Sequence, residues 1–95
     1  MISRDEFGKR ATERLRNVLE KQRRAVLTRV EADRLADFAR TAGPGSAGDV
    51  ARFRASTSES AVHEAEINLL ASLDEYADVL YDALETAIER AMARE

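Results

Sequence analysis

The sequence predicts an all-α protein, a long antiparallel helical hairpin that dimerises into a four-helix bundle. Three observations carry that expectation. Three of the four glycines and the only proline fall together in Gly43-Pro-Gly-Ser-Ala-Gly48, close to the middle of a 95-residue chain. On either side of that break, apolar residues recur at helical spacing. Charged residues make up 35% of the chain and aromatic ones 5%, a balance that suits exposed helices better than a thick globular core.

At this length residues 1–95 form a single domain, and a domain of this size buries only about 60–65% of its unfolded surface. The first helix is expected over about 4–41. Ser3 and Glu6 have the spacing of a capping box, and Ile2 and Phe7 occupy the two positions of a hydrophobic staple. At 100° per residue, Phe7, Ala11, Leu15, Val18, Leu19, Ala25, Val26 and Val30 fall within an arc of about 140°. Beyond Val30 the stripe moves. Leu35, Phe38, Ala39 and Ala42 form a separate face that Leu27 partly joins, which points to a bend or a different neighbour near the loop.

The Gly/Pro turn is expected over 42–48, where glycines supply positive φ and Pro44 lacks a backbone donor. The second helix should follow over about 49–94. Ser56 and Glu59 repeat the capping-box spacing, so the helix is either interrupted near 55–57, with 49–55 a separate short helix, or continuous from its first turns. Its apolar pattern has three heptad rows: Val62, Leu69, Tyr76 and Ala83; Leu73, Leu80 and Ala87; Leu70, Ala77, Leu84 and Ala91. That face is wider than the two-row seam of a simple coiled coil, so one partner helix cannot cover it.

Two hairpins packed face to face would cover it, with Leu15, Val18, Val26, Leu69, Leu70, Leu73, Tyr76, Leu80 and Leu84 as the interface. The competing arrangement is a monomeric three-helix fold with 49–55 laid across the open side. For a turn centred near 48, opposed residues have numbers totalling about 95–97. Arg29 then lies beside Glu66, and the two are expected to pair and fix the register.

Cysteine is absent, which excludes disulfide scaffolds, thiolate metal sites and cysteine nucleophiles. The single histidine, His63, has Glu59 and Glu66 within one helical turn, a weak metal-ligand set in the reverse order of the Glu-x-x-His of di-iron bundles. No cofactor is expected. No phosphate loop, nucleophile elbow or tuned acid pair is present, so enzyme activity is not expected. No run approaches the roughly 18 apolar residues of a membrane span, and no basic n-region leads an apolar stretch, which makes the cytoplasm the default compartment and export without a classical signal the alternative.

The net charge of −3 conceals a polarised chain. Residues 1–42 carry eleven basic and seven acidic side chains, whereas 43–95 carry four and eleven. Arg10, Arg14, Lys21 and Arg24 lie along one side of the first helix, with Arg23 next to Arg24; Asp74, Asp78, Asp82, Glu85 and Glu89 make an acidic stripe on the second. Without stacking aromatics or a recognition-helix pattern, mutual attraction of the halves explains both stripes better than nucleic acid does.

Two resemblances bear on alternatives. Tyr81-Asp-Ala-Leu-Glu85 resembles the Tyr-x-x-x-acid export signal of the small helical-hairpin substrates of type VII secretion, which would imply export; the Trp-x-Gly of that family's turn is replaced here by Gly43-Pro44-Gly45. The hairpin with Asp49 at its tip is similar to the coiled-coil arms of transcription factors that enter the RNA polymerase secondary channel, although the attached globular domain of those factors is missing. The residues themselves favour a non-catalytic interaction or scaffold protein that works by self-association or through a helical partner.

Overall fold

The computed structural model describes residues 3–94. Two helices account for nearly all of them, α1 over Arg4–Thr41 and α2 over Ser46–Ala93, with no strand among the described residues. The hairpin measures 75 × 18 × 14 Å, and its radius of gyration is 21.4 Å. A compact domain of this length would have a radius of gyration of about 12 Å. The molecule is therefore a rod.

α1 starts as its cap dictates. The Ser3 hydroxyl accepts from the Glu6 amide at 3.1 Å, and the Phe7 amide donates to the Ser3 carbonyl at 2.9 Å. The staple partner Ile2 lies outside the described residues. At the other end the helix closes through Ala42 in αR and Gly43 at φ 70°, the left-handed position after a helix end that glycine occupies without Cβ strain. Gly45, at φ 116°, then opens α2 without any side-chain cap.

The second helix starts three residues earlier than the sequence indicates and runs unbroken through 55–57, so 49–55 is neither a separate helix nor a third layer. The capping spacing at Ser56 and Glu59 goes unused because helix already precedes it. The local hydroxyls bond back to their own helix instead, Thr57 to the Phe53 carbonyl at 3.0 Å and Ser60 to the Ser56 carbonyl at 3.4 Å.

Burial follows a heptad seam on each helix, broken on α1 at the exposed Arg14. On α2 the inward rows are Gly48, Ala55, Val62, Leu69, Tyr76, Ala83 and Ala51, Ser58, Ala65, Ser72, Val79, Thr86, all buried or half-buried. On α1 they include Phe7, Ala11, Val18, Lys21, Ala25, Thr28, Ala32, Leu35 and Ala39. Alternating spacings of three and four residues recur on both helices, and the two pack antiparallel along one continuous seam. One α2 row of the seam, Ala51, Ser58, Ala65 and Ser72, is made of small residues, which let two helices approach closely. Ser72 is buried, and its hydroxyl donates to the Leu69 carbonyl at 2.7 Å.

The register differs from the expected one. Opposed residue numbers total 92 for Arg10 and Asp82 and 89 for Arg14 and Glu75, reaching 95 only for Arg29 and Glu66. The turn centre therefore lies nearer 46 than 48, as an α2 that begins at Ser46 requires. Gly48 sits against the turn: a Cβ there would stand 2.0 Å from the Gly43 carbonyl oxygen.

Candidate interaction surface

The heptad seam divides the rest of the hairpin into two faces, and the ion pairs show which rows share each. Beside the seam on one face lie Leu15, Gln22, Arg29 and Ala36 of α1 with Glu59, Glu66, Leu73, Leu80 and Ala87 of α2; Arg29 reaches Glu59 at 3.3 Å and Glu66 at 3.4 Å across it. The opposite face carries Arg10, Arg14 and Arg24 of α1 with Asn68, Glu75 and Asp82 of α2. There Arg10 meets Asp82 at 3.5 Å and Arg14 meets Glu75 at 3.2 Å. One face is charged along its length at the open end of the hairpin; the other is not.

The residues expected to form a single interface divide between two environments. Val18 is buried and Leu69 and Tyr76 are half-buried, all three in the seam within the hairpin. Leu15, Val26, Leu70, Leu73, Leu80 and Leu84 remain 42–62% exposed. These six, with Leu19, lie on the face that Arg29 crosses, in its half toward the open end. Toward the turn the same face becomes polar, with Arg29, Asp33, Arg40, Arg52, Glu59, His63 and Glu66.

A two-helix rod has no interior to receive these side chains. Among the described residues, Val18, Ala32, Ala51, Val62, Ala65 and Val79 form the buried apolar core. The accessible surface is 7493 Å², whereas a compact monomer of 10.6 kDa would expose about 5,500 Å². The excess of about 2,000 Å² is the scale of surface that association removes in stable complexes.

Arg29 is the one polar centre on this face that several groups converge on. Asp33, one turn along α1, lies 4.0 Å from its guanidinium in addition to the two glutamates of α2. Partial desolvation lowers its pKa, but the charges of Glu59 and Asp33 and hydrogen bonds to both glutamates outweigh that and hold it above the ordinary guanidinium value. Glu59 and Glu66 thus turn to Arg29, and the described residues contain no group of three or more His, Asp and Glu side chains placed to hold a metal. His63 stands exposed beside them.

Tyr81 is exposed, with Glu85 one turn further on. Asp49 lies in the first turn of α2 and is bonded to Arg52. The stripe that moves after Val30 corresponds to a second environment at the turn end: Leu35 is half-buried in the seam, while Phe38, Val50 and Phe53 are exposed there. One surface depression is a strip of α1 alone, lined by Arg4, Gly8, Thr12 and Arg16 among others. No described helix is long and apolar enough to cross a membrane.

The seam row Ala51, Ser58, Ala65, Ser72, Val79, Thr86 escaped the sequence reading because half of its members are hydroxyl residues. Their seven-residue spacing was the available signal. No protein-family model matches the chain, and no curated protein or solved structure matches it either.

Proposed function

We propose that this chain is a non-catalytic interaction or scaffold protein that works by laying the open-end half of one hairpin face on another helical surface. The observation that carries the reading is the exposure of Leu15, Leu19, Val26, Leu70, Leu73, Leu80 and Leu84 on one side of the rod. Seven large aliphatic side chains on one contiguous strip exceed the scattered apolar exposure normal for a soluble surface. Hydration of that strip is unfavourable by roughly 25 cal/mol per Å², so covering even several hundred Å² supplies several kcal/mol toward association. Packing of helix on helix is the geometry that fits a flat, ridged surface of this kind.

The test is the mass of the protein in solution at micromolar concentration, with far-ultraviolet circular dichroism to report helicity. Assembly beyond the monomer, lost on Leu73→Glu with helicity retained, is the expected result. A fully helical monomer that exposes the strip without associating would contradict the reading.

A further inference from the structure

We infer that the occupant of the open-end apolar face is a second copy of this chain, related by a twofold axis that runs along the rod, so that α1 of each hairpin lies on α2 of the other and both turns point the same way. This rests on the reading just proposed and adds to it the identity of the partner and the arrangement.

Area comes first. On α2 the apolar strip runs from Leu70 to Ala91, about 33 Å at 1.5 Å per residue, and the hairpin is 18 Å across. Its footprint is about 600 Å² on each copy, or about 1,200 Å² for a pair, which meets the lower bound for a stable specific interface. No other occupant is needed to satisfy the face.

Charge then selects the arrangement. Two hairpins meeting face to face through a twofold axis have two choices. An axis along the rod places α1 over the partner's α2; an axis across the rod places α1 over α1 and α2 over α2. In the open-end half, α1 residues 4–27 carry eight basic and four acidic side chains, whereas α2 residues 66–94 carry two and seven. The first choice sets a net +4 against a net −5 on both sides of the pair. The second sets +4 on +4 and −5 on −5. Several of these charges, among them Arg10, Arg14, Arg24, Glu75 and Asp82, lie on the opposite face, so the preference acts over more than the roughly 8–10 Å between neighbouring helix axes and is partly screened at physiological ionic strength.

The layer at Arg29 points the same way. With the axis along the rod, each Arg29 faces the partner's Glu59 and Glu66 as well as its own, 3.3 and 3.4 Å away. Signs then alternate around the four helices. With the axis across the rod, the apolar halves could overlap only if the polar halves projected beyond them, and the Arg29 layers would never meet.

The chain contains no cysteine, so single cysteines report the arrangement cleanly. Leu19 and Leu70 stand on opposite outer edges of the face, one on each helix, in rows that turn away from each other within a hairpin. The arrangement brings Leu19 of one copy against Leu70 of the other. Leu19→Cys and Leu70→Cys are prepared separately, exchanged as an equimolar mixture, and oxidised mildly; non-reducing gels read the covalent dimer. The expected result is covalent dimer in the mixture, approaching the fraction of mixed pairs that random exchange allows, and little in either variant alone.

Equal or greater cross-linking of either variant alone would overturn the arrangement, and so would no cross-linking in the mixture. Circular dichroism and sedimentation of each variant accompany the gels. An assembled species without mixed cross-links defeats the inference while leaving the interaction reading intact; a monomer at micromolar concentration for the wild-type chain defeats both.

Discussion

Two glycines in this chain should respond in opposite ways to the same substitution. Gly8 lies in the second turn of α1 with nothing within 4 Å of the position a Cβ would take. Replacing it by alanine removes backbone freedom from the unfolded chain and should stabilise by about 0.5–1 kcal/mol. Gly48, in the first turn of α2, is different. Its Cβ would stand 2.0 Å from the Gly43 carbonyl oxygen and 3.2 Å from an Arg52 guanidinium nitrogen. The arginine can move aside. The carbonyl cannot, because Gly43 is held in the left-handed position that ends α1. An ordinary carbon–oxygen contact is about 3.3–3.6 Å, so turn and helix must part by more than 1 Å. Overpacking of this kind costs about 1–3 kcal/mol, against at most about 1 kcal/mol of helix propensity gained. The net loss is roughly 1–2 kcal/mol, which lowers the melting temperature by about 5–15 °C for a domain of this size. Thermal melts followed by circular dichroism, at one protein concentration, compare the two variants with the parent. A Gly48→Ala melt at or above that of Gly8→Ala would refute the close approach at the turn.

Four further outcomes follow from the same geometry. Val62→Ala removes two methyl groups from a side chain only 1% exposed in the seam and should lower stability by about 2 kcal/mol, read from urea unfolding. Leu80→Glu places a charge on the apolar face but outside the seam, so it should abolish assembly in sedimentation while the remaining hairpin stays helical. In the monomeric Leu73→Glu background, Arg29→Met should change urea stability by less than about 1 kcal/mol, because in a single hairpin each of its ion pairs is solvent-exposed and such pairs are individually weak. Raising sodium chloride from about 0.05 to 0.5 M should weaken association, since it screens the attraction between the basic and acidic helices; an unchanged dissociation constant would remove charge from the account.

Much of the architecture is legible in the residues because the turn and the helix start have local causes. Ser3 and Glu6 mark the beginning of α1 by their spacing, and Gly43 and Pro44 mark its end. The start of α2 is not legible in the same way. Gly45 caps it without a side chain, while Ser56 and Glu59 imitate a cap inside a continuous helix, so the local pattern names the wrong residue. The apolar rows carry a second ambiguity. Val62, Leu69 and Tyr76 look no different in the sequence from Leu73, Leu80 or Leu84, yet only the first three lie in the seam. What separates them is the other half of the seam, the small row of Ala51, Ser58, Ala65 and Ser72. Small side chains admit a neighbouring helix, and that is what turns the larger leucines of the adjoining rows outward.

Sedimentation equilibrium of the wild-type chain tests the central claim most directly. If the outward leucines form an association surface satisfied by a second copy, the protein at micromolar concentration has twice the 10.6 kDa chain mass, and Leu73→Glu returns it to a helical monomer. A wild-type chain that remains a helical monomer at 10.6 kDa across that range would contradict it.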